Sequence, residues 1–123
     1  MIRVLIIDDK EMVRQKIVQL LLETDDISVS GEATSGHDGL DMLSKIPCDV
    51  ALLDIAMPYL DGFETLKLLR EKYPDLPVIM LSIFPEDQYA TRAMKAGATG
   101  CIAKSNASAK LNSAVRKAAR ENR

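Results

Sequence analysis

Five short apolar runs punctuate the chain, at Ile2–Ile7, Ile27–Glu32, Val50–Leu53, Val78–Leu81 and Cys101–Ala103. Their lengths and β-branched content predict strands. The first, third and fourth are almost wholly apolar, the pattern of central parallel strands covered on both faces. The second alternates Ile27 and Val29 with Ser28 and Ser30, which predicts an edge strand half in water. Amphipathic stretches fill the gaps. Val13, Ile17, Leu20 and Leu21 share one helical face, while Arg14, Gln15 and Gln19 point elsewhere. A second helix is predicted over Gly36–Lys45 around Leu40 and Leu43, and a third over Gly62–Lys72 with Phe63, Leu66 and Leu69 inward. The fourth begins near Pro85-Glu86-Asp87 and ends at Gly97, a natural C-cap. The last carries Leu111, Val115 and Ala118 on one face.

Five strand–helix pairs joined by short loops predict an α/β fold, an open parallel sheet with helices on both faces and right-handed crossovers. With 123 residues, 47% of them hydrophobic, the chain has enough apolar material for one packed core, and a single domain over 1–123 is expected.

Charge and cysteine usage narrow the function classes. A formal net charge of -2 leaves no general basic surface, so direct nucleic-acid binding by these residues is not expected. The opening MIRVLIIDDK is too short for a membrane span and lacks a cleavage site, so a soluble cytoplasmic protein without membrane contact is expected. Cys48 and Cys101 form no CxxC pair and are expected as small core residues in a reduced compartment. His37, the only histidine, cannot build a His-rich metal site and is expected at a solvent-facing helix start.

The chemistry gathers at the strand ends. In open α/β sheets, ligands bind outside the carboxyl ends of the strands, where the strand order reverses. Asp8 and Asp9 follow the first strand and Asp54 the third. If these strands are neighbours, three carboxylates crowd one pocket, and their repulsion calls for a cation. An all-oxygen donor set favours a hard ion such as Mg²⁺. Ser82 ends the fourth strand with a hydroxyl, and Lys104 follows the fifth with an ammonium. A metal, a lysine and a hydroxyl around one carboxylate suit phosphoryl transfer to that carboxylate, with Asp54 as nucleophile.

These residues resemble a known family, the receiver domains of two-component response regulators. LIIDD, D-x-x-M-P-x-x-D-G, the serine after the fourth strand, A-G-A-T-G and the lysine after the fifth carry the resemblance along essentially the whole chain. It implies a doubly wound (βα)5 fold with the flavodoxin-like strand order 2-1-3-4-5. It implies that Asp54 accepts a phosphoryl group from a sensor histidine kinase, as a signalling domain rather than an enzyme. Asp9, Asp54 and the carbonyl of Ala56 would ligate Mg²⁺ directly, Asp8 mainly through water, and Ser82 and Lys104 would hold phosphoryl oxygens. Pro58 and Gly62 would shape the following loop, the latter through a positive φ.

The segments SIFPEDQYA and AGATG look like receivers that precede a LuxR-type helix-turn-helix domain, which these residues do not include. An excised receiver and a stand-alone one both fit. Transcription control through that domain is the implied output, with the fourth helix, fifth strand and fifth helix as the output surface. Homodimerisation on phosphorylation is a further expectation, with Lys110, Arg116, Lys117 and Arg120 available for partners and Val18 and Leu22 as another candidate surface.

The chain departs from the family at Cys101, where an aromatic switch residue usually stands, and at Ser105, where proline often follows the lysine. Three rival readings meet specific obstacles or none. A haloacid-dehalogenase-type phosphatase would want an acid at Ala56, and an FMN carrier would want a phosphate loop where DDKEMVRQ lies. A phosphorylation-independent interaction module is the remaining rival.

Overall fold

The computed structural model of the chain describes residues 1–57 and 60–121, apart from the side chain of Glu86. Pro58, to which a loop-shaping role was assigned, lies outside the described residues. The elements follow in strict alternation: β1 (Ile2–Ile7), α1 (Glu11–Leu21), β2 (Ile27–Ala33), α2 (Gly36–Leu43), β3 (Val50–Asp54), α3 (Gly62–Lys72), β4 (Val78–Ser82), α4 (Glu86–Lys95), β5 (Gly100–Ala103) and α5 (Ala107–Glu121). One turn of 3₁₀ helix, Lys104–Asn106, joins β5 to α5.

All strand pairs are parallel, and the order across the sheet is β2-β1-β3-β4-β5, as expected. The chain first moves outward from β1 to the edge strand β2 and then returns across β1 to β3. The strand order therefore reverses between β1 and β3, and the crevice of such a sheet opens at their C-terminal ends.

Period-two alternation explains how the central strands serve two cores. Val4, Ile6, Val50, Leu52, Ile79 and Leu81 face α1 and α5, where they meet Ile17, Leu21, Leu111 and Val115. Leu5, Ile7, Ala51, Leu53, Val78 and Met80 face the other way, against Leu66, Leu69 and Ala93 of α3 and α4. Every residue of β3 is buried, which makes it a rigid support for whatever stands at its end. Shortening a fully buried side chain such as Leu52 to alanine should cost about 2–5 kcal/mol.

Several details differ from the sequence expectation. The helix expected over Gly36–Lys45 ends at Leu43, where the Ser44 hydroxyl turns back to donate to the Asp41 carbonyl at 2.6 Å. A register shift in β2 leaves Ser30 without a partner on β1, its hydroxyl donating to the Val4 carbonyl at 3.3 Å. Gly62 does not use a positive φ; Gly97 (φ +103) alone among the described glycines does. At position 62 the need is for space: an added Cβ would run into the Asp54 carbonyl oxygen and lie 2.6 Å from the Ile55 Cα. Arg116 is engaged rather than available, donating from Nε and Nη2 to Asp26 at 2.7 and 2.9 Å. That hydrogen-bonded guanidinium holds the Asp26 carboxyl down at about 2.

Candidate functional site

The pairing of Ile7 with Leu53 carries the chain on to Asp8 and Asp54 side by side at the C-terminal ends of β1 and β3. Both are buried, whereas Asp9 is only partly so. One carboxylate oxygen from each of Asp8, Asp9 and Asp54 lies within 4.8 Å of the others. The three acids expected to converge do converge.

Lys104 reaches the cluster from the end of β5. Its ammonium lies 3.1 Å from Asp8 Oδ2 and 3.1 Å from Asp54 Oδ1, bridging the two buried acids. Asp54 Oδ1 also accepts the Ala56 N–H at 3.3 Å, and Asp8 Oδ1 accepts the Lys10 N–H at 2.8 Å. Asp54 Oδ2 is buried and accepts no hydrogen bond. Burial raises the pKa of Asp54 and the neighbouring Asp8 charge raises it further, with Lys104 and Lys10 opposing both. An all-oxygen donor set in which a buried carboxylate oxygen accepts no hydrogen bond fits a hard divalent cation, and Asp8, Asp9 and Asp54 are the side chains that could hold it.

The sequence reading missed two cations. Lys10 Nζ lies 3.1 Å from Asp9 Oδ1, 3.6 Å from Asp54 Oδ2 and 3.5 Å from the Ala56 carbonyl oxygen. Burial alone would lower its pKa, but the Asp9 hydrogen bond and the charges of Asp54, Asp9 and Asp8 raise it overall. Arg14, expected to point away, instead donates to the Asp8 carbonyl at 2.8 Å and reaches Glu32 at 3.4 Å. A signal for Lys10 was present. It occupies the N-cap of α1 without a side-chain cap, where helix ends favour short polar acceptors and disfavour cations. A residue that breaks a local rule at a strand end points to the site.

Ser82 follows Leu81, the residue of β4 that pairs with Asp54. It is buried, and its hydroxyl accepts the Phe84 N–H at 3.0 Å. Beyond it, Phe84 packs on Tyr89 with ring centroids 5.6 Å apart, and Tyr89 lies 6.3 Å from Phe63. The Arg92 guanidinium covers Phe63 at 3.9 Å. Cys101, where an aromatic switch was noted as missing, is half-buried in β5 opposite Met80.

Residues 4–116 match the family described as the response regulator receiver domain. Response regulator GacA of Pseudomonas viridiflava is 36% identical over 116 residues, which are 94% of this chain and 54% of that protein. Transcriptional regulatory protein LiaR of Bacillus subtilis is 36% identical over 120 residues, 98% of this chain and 57% of its own length. The chain thus spans about half the length of these curated relatives. Among solved structures, response regulator TrrA of Thermotoga maritima in complex with Mg²⁺-BeF superposes with a TM-score of 0.84 at 26% identity, covering 96% of this chain and 99% of that one.

Proposed function

The chain belongs to the response regulator receiver domain family, and on that premise we propose that it takes a phosphoryl group onto Asp54 from the phosphohistidine of a sensor histidine kinase. The observation that carries this reading is Asp54 itself. It is a buried carboxylate on a wholly buried strand, with one oxygen bridged by Lys104 and the other accepting no hydrogen bond.

An Asp54 oxygen attacks phosphorus, the phosphorus–nitrogen bond breaks, and its electron pair returns to the imidazole. Lys104 needs only a small shift from its Asp8–Asp54 bridge to neutralise the incoming phosphoryl oxygens. The Ser82 hydroxyl accepts from Phe84 and keeps its own proton to donate to the same group. Asp8, Asp9 and Asp54, with the Ala56 carbonyl, would hold Mg²⁺, as the Mg²⁺-BeF complex of TrrA supports. Bound there, Mg²⁺ would offset the charge of the carboxylates and of the transferred group.

LiaR is described as a transcriptional regulatory protein, and its greater length leaves room for a further domain. By that analogy, the phosphorylated receiver controls transcription through a DNA-binding domain outside these residues, with homodimerisation as the accompanying step. The test is mass spectrometry after incubation with acetyl phosphate and Mg²⁺. Wild type should gain one phosphoryl group and Asp54→Asn none. Stable phosphate on Asp54→Asn at the wild-type rate, or none on wild type, overturns the reading.

A further inference from the structure

The most informative contact in the site is one that phosphotransfer does not require. The Lys10 ammonium faces three oxygen atoms at once: Asp9 Oδ1, Asp54 Oδ2 and the Ala56 carbonyl oxygen. Those three residues are among the four proposed above to hold the cation, and the family resemblance implies that they are the ones to touch it directly. Lys104 sits elsewhere, on Asp8 Oδ2 and Asp54 Oδ1. The two oxygens of Asp54 are thus divided between two lysines, and only one of those lysines stands where a metal ion would.

We propose that Lys10 is a tethered competitor for the divalent cation, holding the carboxylate cluster in the metal-free protein and leaving when Mg²⁺ enters. This inference rests on the phosphoacceptor reading above for the identity of the ion, and not for the contact itself.

Three features support displacement rather than joint occupancy. An ammonium and a divalent ion on the same three oxygens would repel at short range, so both cannot hold them. The Lys10 side chain is half exposed, so its four-carbon stem can swing into water without breaking packing. Lys104, by contrast, is 15% exposed and fixed over the buried acids. Lys10 is also attached at the N-cap of α1 beside Asp9, which gives its ammonium a high local concentration at the site without any ligand in solution.

The consequence is a graded requirement for magnesium. Two partly exposed ion pairs must be given up on metal entry, each of modest strength. Together they should weaken Mg²⁺ binding roughly tenfold, equivalent to about 1.4 kcal/mol. In exchange, the metal-free fold is relieved of part of the repulsion among its three acids.

The experiment is isothermal titration of Mg²⁺ into wild type, Lys10→Met and Lys10→Gln, with exposed Lys16→Met as the control for net charge. Both Lys10 variants should bind Mg²⁺ about tenfold tighter, while Lys16→Met stays within twofold of wild type. Thermal melts supply the second readout. Without metal the Lys10 variants should melt below wild type, and at saturating Mg²⁺ that difference should close or reverse. Equal affinities in all four proteins, weaker binding by the Lys10 variants, or an equal gain in Lys16→Met each overturn the proposal. If no variant binds Mg²⁺ at millimolar concentration, the metal assignment itself fails along with it; equal binding by all four leaves that assignment standing and removes only the competitor.

Discussion

Lys104 Nζ lies 3.1 Å from Asp54 Oδ1, although β4 separates the strands that carry the two residues. The contact spans the width of two strand spacings because Lys104 has a long side chain and starts just past the end of β5. It partly offsets a charge that the fold otherwise disfavours.

That imbalance predicts a stability effect of a known sign. The Asp54 pKa is raised by burial and by Asp8. An acid whose folded pKa lies above its unfolded value contributes stability that is present below the unfolded pKa and lost as pH rises through the folded one. Metal-free protein at neutral pH therefore carries the cost. Asp54→Asn should be more stable than wild type at pH 7 without Mg²⁺, by about 1 kcal/mol as relieved functional-site strain typically gives. The gain should shrink towards pH 3 and when Mg²⁺ is added, both readable from urea unfolding midpoints.

Loss of phosphate is expected to be slow. Ala56 and Phe84, two residues after Asp54 and Ser82, both reach the surface, and neither side chain can orient a water by hydrogen bonding. Ala56→Asn or Phe84→Glu should speed dephosphorylation by roughly tenfold or more, since positioned polar groups act on that scale. The decay of phosphoprotein on Phos-tag gels measures it; equal rates in wild type and both variants would contradict the expectation.

Gly62 is the next position to probe. Even a methyl group there meets the Asp54 carbonyl and the Ile55 Cα at 2.6 Å, both backbone and unable to yield cheaply. Gly62→Ala should cost about 1–3 kcal/mol, the usual range for overpacking, and should slow phosphorylation by displacing Asp54. Alanine at Gly100, where the nearest atom is 4.0 Å away, is the matched control.

Cys48 offers a test away from the site. Burial pushes its thiol from the ordinary 9.0 up to about 11, and the thiol donates to the Val50 carbonyl at 3.2 Å. Iodoacetamide should modify Cys48 in the native protein roughly a hundredfold more slowly than in urea at pH 8.5, because the thiolate is the nucleophile. The stability this neutral thiol contributes is complete below about pH 9 and is lost as pH rises through about 11.

Much of the fold was legible because the relevant signals are local. The apolar runs Val4–Ile7 and Val78–Leu81 have the length and β-branched content of strands covered on both faces, and every residue of both is buried, while Arg3 before the first is exposed. Gly62–Lys72 was bounded correctly because Asp61 caps its start, accepting the Glu64 N–H at 2.9 Å, and prolines follow its end. The convergence of Asp8, Asp9, Asp54 and Lys104 followed from their places at strand ends together with the strand order that the family resemblance implies. What escaped was side-chain direction. Arg14 was placed on the outer face by its helical position, yet a long side chain beside a free carbonyl can turn back to it. Lys10 is marked in the sequence only by its unfavourable place at a helix start, and the direction its flexible ammonium takes over Asp9 and Asp54 is set by tertiary structure. Gly62 was read through φ, whereas its constraint comes from the return of the chain against Asp54, a tertiary contact.

The aromatic contacts beside the site have an optical consequence. The chain has no tryptophan, three tyrosines and two phenylalanines. Tyr89 is held between Phe63 and Phe84, and Phe84 is joined through its own N–H to the Ser82 hydroxyl. A ring fixed in such asymmetric surroundings contributes to near-ultraviolet circular dichroism, with no indole signal to mask it. Any rearrangement that draws Ser82 towards a modified Asp54 would pull on Phe84 and change the angle at which Tyr89 meets it. The protein therefore carries its own label-free spectroscopic reporter, placed between the Asp54 cluster and the first turn of α4.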